Sequence, residues 1–230
     1  MILYDIFLIL SLPALAASIL SMVLMRRALY AGRRLSSSAG LTASALCARM
    51  LKAGGIGDVR VRKSEIAPKD LFRPSRGIVT LSPEHYNATD LPALATAAFE
   101  TAHALQEKAG NRFVAVREIV IRVVSALKFV SWPLLIVGLI FAIHWMSLTG
   151  IAMFTLLVAA GAALQPMEQD AAKRACRVLK RGKYLTDGEL IAAEKLVRAN
   201  ALACLAAPLD AIVILGGFLI RLCADAGKSR

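Results

Sequence analysis

Long uncharged apolar blocks constrain this chain more than any other feature. Ile2 to Met25 and Ala201 to Ile220 each carry a single acidic residue, and Phe129 to Leu164 contains no Asp, Glu, Lys or Arg at all. A helix needs about 20 mostly apolar residues to cross roughly 30 Å of hydrocarbon. The first and last blocks meet that length. The middle one is long enough for two passes, and Ser147-Leu148-Thr149-Gly150 is the natural place for a tight turn between them. Its second half, Ile151 to Leu164, is short for a full crossing, so the expectation is that it tilts little, thins the bilayer or stops below the far interface. The 57% apolar content is thus gathered in blocks instead of being spread at amphipathic spacing, which excludes an ordinary soluble fold. The expectation is an all-α membrane protein with about four transmembrane helices, near 2–25, 129–147, 151–165 and 201–220. The whole chain, 1–230, reads as a single membrane-bound domain. Its polar parts, about 26–128 and 166–200, are mainly helical with room for a small β-hairpin.

The basic residues set the orientation. Arg26, Arg27, Arg33 and Arg34 follow the first block directly, and a second cluster, Lys173, Arg174, Arg177, Lys180, Arg181 and Lys183, follows the middle one. Lys and Arg beside a span are retained on the cytoplasmic side, so both polar segments are expected in the cytoplasm. The first block lacks a positive segment ahead of it and is long for a signal sequence, so it reads as an uncleaved anchor. The net charge of +12 is explained by this topology and by attraction to anionic lipid. The bilayer is therefore the expected partner, and nucleic acid is not. The four cysteines, Cys47, Cys176, Cys204 and Cys223, form no C-x-x-C pair and read as small packing residues.

Between the blocks, Leu35 to Lys52 has helical spacing and stops at Gly54-Gly55. Asp58 to Arg62 and Gly77 to Leu81 are short strand candidates separated by a loop holding Pro68 and Pro74. Thr89-Asp90-Leu91-Pro92 combines an N-cap with an early proline and starts a helix that runs to Lys108 and closes at Gly110. Arg112 to Lys128 is an apolar helix with scattered charges that lies at the interface and feeds the second span. Gln165-Pro166 marks a break before a new helix from Glu168 to Arg181, and Thr186 with Glu189 forms a capping-box pattern for the next helix.

The helix after Pro92 carries A-A-F-E-T-A-H-A-L-Q, Ala97 to Gln106. Set against the zinc-peptidase pattern H-E-x-x-H, this is F-E-x-x-H. In the intact pattern two histidines four apart share one helical face and bind the metal, while the glutamate acts as general base on the bound water. By itself the E-x-x-H remnant is a weak signal.

Its surroundings strengthen it. L-S-P-E-H-Y-N at Leu81 to Asn87, the F-E-T-A-H-A-L-Q run, an apolar hairpin and Q-P-M-E-Q-D-A-A-K-R-A at Gln165 to Ala175 follow in that order. This arrangement resembles the bacterial membrane-embedded neutral zinc metallopeptidases of the YugP type, which have an LSP-x-x-Y segment, an H-E-x-G-H-A-x-Q helix, a membrane hairpin and a P-x-E-x-D-A-S-R-R-A helix. The resemblance implies that Glu100 matches the general base, His103 the second zinc histidine, Glu168 the third ligand and Asp170 the acid two places on. It also exposes departures. Phe99 stands where the first ligand belongs, Ala102 replaces a glycine, and in D-L-F-R-P at Asp70 to Pro74 the residues Leu71 and Arg73 replace a histidine and an acid.

A phenyl ring has no lone pair for zinc, so His103 and Glu168 are what remains of a set that normally holds three protein ligands plus water. Without the metal the water pKa stays near 15.7 instead of about 7, a deficit of about 12 kcal/mol that a lone side-chain base cannot supply. The expectation is a pseudopeptidase without a cofactor, in which Glu100, His103, Glu168 and Asp170 persist as a polar cluster and Phe99 fills the metal's place. Such a chain acts as scaffold or regulatory partner of another membrane protein, an intact family relative among the candidates. The alternative is an active zinc peptidase with an atypical ligand set, recruiting His85, and a third reading is a transporter subunit, for which the spans offer only His144 and Asp210.

Overall fold

The computed structural model describes residues 23, 37–38, 40–65, 70–141 and 143–202. Apart from residues 23, 201 and 202, the expected first and last spans lie outside these, as do Asp210 and the side chain of His144. The contacts divide the chain into two compact units. One comprises residues 1–24, 120–164 and 204–230, the other residues 25–119 and 165–203.

The second unit holds the site. Helix α1, Ala43–Ala53, starts where Thr42 accepts the main-chain N–H of Ala45 and stops at Gly54. Lys108 caps its other end by donating to the carbonyls of Gly54 and Gly55, where a cation is favoured by the helix dipole. Three strands follow: β1, Arg60–Lys63; β2, Leu71–Arg73; and β3, Ile78–Leu81. The sheet order is β1-β3-β2, with β1 parallel and β2 antiparallel to β3. The expected hairpin between the first and last of these is therefore corrected. The hairpin is β2–β3, and the loop assigned to the prolines contains an edge strand. Pro74–Arg76 forms a single 3-10 turn, and Gly77 at φ 60° reverses the chain into β3, a conformation that an L side chain resists.

A short helix α2, Pro83–Tyr86, leads to α3, Leu91–Lys108. Asp90 caps α3 by accepting the N–H of Ala93 at 2.9 Å, and Pro92 sits in the first turn, where its missing N–H costs nothing. α3 is buried on nearly every side, and its alanines 93, 95, 97, 98, 102 and 104 let neighbouring elements approach closely. α1 packs on it, with the Cys47 thiol directed at the Ala97 carbonyl, and Phe72, Val79 and Leu81 of the sheet are buried beside it.

Helix α4 spans Phe113–Ile140 and α5 spans His144–Gly182. The first of these helices ends at Ile140 and the next begins at His144, so the interruption does not fall at 147–150. The Ile143 N–H bonds the Gly138 carbonyl, and Ser147 and Thr149 are absorbed into α5, the Thr149 hydroxyl donating back to the Trp145 carbonyl at 2.8 Å. Gly138 allows the close approach, because a Cβ there would lie 2.6 Å from the Ser147 main-chain nitrogen. The expected break at Gln165-Pro166 is likewise absent. α5 runs through Pro166, which removes one main-chain bond but leaves the rest of the ladder intact. Among the described residues one helix, Trp145–Gly182, is long and apolar enough to cross a membrane. Helix α6 follows over 187–202, opened by the Thr186 N–H bonding the Glu189 carboxylate at 2.8 Å.

Candidate functional site

The buried side of α3 presents Glu100 and His103 one turn apart, and α5 brings Glu168 against them. His103 Nε2 lies 3.2 Å from Glu168 Oε2, with both side chains fully buried. The orientation of His103 is set by its other nitrogen. Gln106 uses its amide nitrogen to donate to the Met167 carbonyl at 2.9 Å and to Asp170 Oδ2 at 2.7 Å. Both of those groups only accept, so the Gln106 oxygen faces His103 Nδ1, 2.8 Å away, and must accept a proton from it. The Nε2 atom then faces Glu168. Despite the short separation, neither Nε2 nor Glu168 Oε2 has a hydrogen bond of acceptable geometry. This is the arrangement that a histidine ligand with a supporting amide adopts in a metal site.

Sequence reasoning missed the residue that holds the other side of the cluster. Arg117 of α4, 51 residues from Glu168, donates from Nε to Glu168 Oε1 at 2.7 Å, and its Nη2 lies 3.4 Å from Glu100 Oε1. The only hint was its position three residues after the buried Val114, on the same helical face. Burial would raise the Glu168 carboxyl, but the neighbouring His103 and the Arg117 guanidinium outweigh it and hold the group at about 2. The remaining Glu100 oxygen accepts the main-chain N–H of Phe72 at 2.9 Å, tying edge strand β2 to α3. Leu71 and Arg73 flank Phe72 on β2 and are half-buried, whereas the Phe72 ring is in the core. Next to these, Glu118 accepts from the Ser75 N–H and hydroxyl.

Phe99 is 4% exposed, and its ring stands edge-on to His103 with centroids 5.1 Å apart. The phenyl group thus packs directly on the imidazole. His85 does not join the cluster. Its Nδ1 is 2.7 Å from Asp70 Oδ2, and the other Asp70 oxygen accepts the Ser82 N–H at 2.7 Å. The hydrogen bond to Asp70 raises the His85 pKa against the opposing effect of burial, and the Asp70 carboxyl is lowered by His85 and Ser82 although burial opposes this too. Asp170 sits at the outer edge, held low by Gln106 and Arg174 against a desolvation that would raise it.

The donor set decides how well zinc fits. Two ligands about 2.1 Å from a tetrahedral zinc lie about 3.4 Å apart, so His103 Nε2 and Glu168 Oε2 are spaced as a ligand pair would be. Among the described residues no group of three or more His, Cys, Asp or Glu converges on a common point that could hold a metal. The residues present are half of a zinc site and do not fit a catalytic ion, which needs three protein ligands and a water.

A helix bearing Glu-x-x-His, a glutamate from a later helix and a strand edge beside them define a zinc-peptidase-like site. The chain belongs to the family whose model is described as "Putative neutral zinc metallopeptidase", which matches residues 7–222. A relative of known sequence, "Putative membrane protease YugP" of Bacillus subtilis (strain 168), is 26% identical over 216 residues, covering 93% of this chain and 95% of the relative. No solved structure matches the chain at a significant level.

Proposed function

We propose that this chain is a pseudopeptidase: a multi-pass protein of the bacterial inner membrane that has kept the family's fold without its hydrolysis and serves as scaffold or regulatory partner of another membrane protein. The single observation that carries this reading is Phe99, an apolar ring packed on His103 at the place of the first ligand. The Arg117 guanidinium supports it, because it engages both Glu100 and Glu168 and so ties the general-base position into a structural ion-pair cluster. The four-span arrangement with both polar segments in the cytoplasm rests on the apolar blocks and on the flanking Lys and Arg clusters. An intact member of the same family is the first partner to seek, since a shared fold offers a shared mode of packing.

The test is a cleavage assay on unstructured peptides with the purified full chain, zinc supplied, and Glu100→Gln as comparator. The proposal expects the two proteins to give the same background. Cleavage by the wild type that Glu100→Gln abolishes overturns it and establishes the second reading, an active enzyme with an atypical ligand set. One observation favours that second reading: His103 Nε2 and Glu168 Oε2 face one another without hydrogen bonds at a ligand-pair distance.

A further inference from the structure

Away from the cluster, α5 and α6 enclose a cavity of about 410 Å³. Lys173, Arg177 and Lys180 line it from α5, and Arg198 lines it from α6, against one acid, Glu194. The spacing explains the convergence: positions 173, 177 and 180 are four and three apart, so they form one stripe along α5. All four basic side chains are exposed, and none is held in an ion pair with a described residue. Four like charges placed around one hollow repel each other and gain from an anion there. Inorganic phosphate alone would satisfy that charge. The cavity has a second character, however, because its lining also includes Ala201 and Leu202, the latter 51% exposed. Those residues are where α6 passes into the apolar block ending at Ile220. A cationic lining that also includes apolar residues at the start of a membrane-length segment matches a ligand that is itself charged at one end and apolar at the other.

We infer that the α5–α6 cavity is a seat for the phosphate headgroup of an anionic phospholipid, with Lys173, Arg177, Lys180 and Arg198 around the phosphate and Leu202 against the start of the acyl chains. The site is separate from the Glu100–His103–Glu168 cluster and needs neither its activity nor its loss. Each basic residue near an anionic lipid is worth about fivefold in affinity at low salt, so removing three of them lowers affinity by about a hundredfold.

The experiment uses the full chain in neutral detergent micelles, titrated with short-chain phosphatidylglycerol, short-chain phosphatidylcholine or inorganic phosphate. Binding is read by native mass spectrometry and by the shift in unfolding temperature. The expected result is saturable binding of one phosphatidylglycerol, much weaker binding of the other two, and a loss of about a hundredfold in the Lys173→Gln/Arg177→Gln/Arg198→Gln variant. The matched change Arg60→Gln/Arg62→Gln/Lys63→Gln on exposed strand β1 should leave binding intact. Glu194→Gln, which removes the one acid, should tighten it by a few fold, and that gain cannot be produced by misfolding. Equal weakening by the two triple variants, or no preference for phosphatidylglycerol over phosphatidylcholine, overturns the proposal. Saturation by inorganic phosphate with the same affinity as the lipid overturns the lipid assignment.

Discussion

Replacing Arg117 by methionine isolates the energetic role of the buried cluster. The guanidinium is 5% exposed and lies between carboxylates that are 0% and 8% exposed, so solvent does little to screen the loss. Methionine fills much of the volume but leaves Glu168 and Glu100 without their shared counter-charge. Breaking one partner of a buried ion pair costs about 3–5 kcal/mol, and in a chain of this size each kcal/mol shifts the unfolding temperature by about 2–4 °C. The variant should therefore unfold some 6–20 °C lower in detergent at neutral pH. A pH series adds a signed check. Glu168 has a folded value of about 2 against an ordinary 4.5, so its contribution is complete above 4.5 and is lost as the pH falls toward 2. At about 1.4 kcal/mol per unit this contribution is on the order of 3 kcal/mol. The gap between wild type and Arg117→Met should accordingly narrow on acidification. Adding Glu168→Gln to Arg117→Met should restore part of the loss, since it removes one stranded charge. A variant within 1 kcal/mol of wild type at neutral pH would refute the reasoning, because it would mean that the Arg117 guanidinium does not hold this buried cluster together.

Other expectations follow from the same structure. Asp90→Ala removes the cap of α3 and should cost about 1 kcal/mol in unfolding, with Asp90→Asn nearly neutral. Gly138→Ala drives a methyl group into the α4–α5 turn and should cost about 1–3 kcal/mol, whereas substitution at exposed Gly188 should not be felt through packing. The raised His85 pKa means that its pairing with Asp70 stabilises fully below about 6.5 and fades as the pH rises through the folded value. The stability lost in His85→Ala should therefore be larger at pH near 6 than near 9, and a pH-independent loss would contradict the pairing.

Much of this was legible in the sequence where local chemistry decides structure. Asp90, Pro92 and Gly110 bracket α3 because capping and proline rules act within one turn, and the E-x-x-H spacing puts Glu100 and His103 on one face for the same reason. What could not be read depends on distant partners. Strand β2 is three residues long beside a proline and exists because β3 supplies its bonds, so no periodicity announces it. Arg117 looks like one more charge on an interfacial helix until Glu168 is seen 2.7 Å away. Gln106 carried no assigned role, although its two fixed acceptors turn its oxygen toward His103 and so set the orientation of the imidazole. The interruption between Ile140 and His144 was displaced in the reading because Ser147, Thr149 and Gly150 look like breakers, whereas a threonine hydroxyl returned to its own helix lets α5 continue through them.

The proposal rests on Phe99 standing against His103, and the zinc content of the purified full chain tests it most directly. After exposure to zinc and removal of loosely held metal, the wild type should carry none above background. Phe99→His, which returns an imidazole one helical turn before His103, should carry it stoichiometrically. Stoichiometric zinc in the wild type that disappears on His103→Ala would contradict the account at its base.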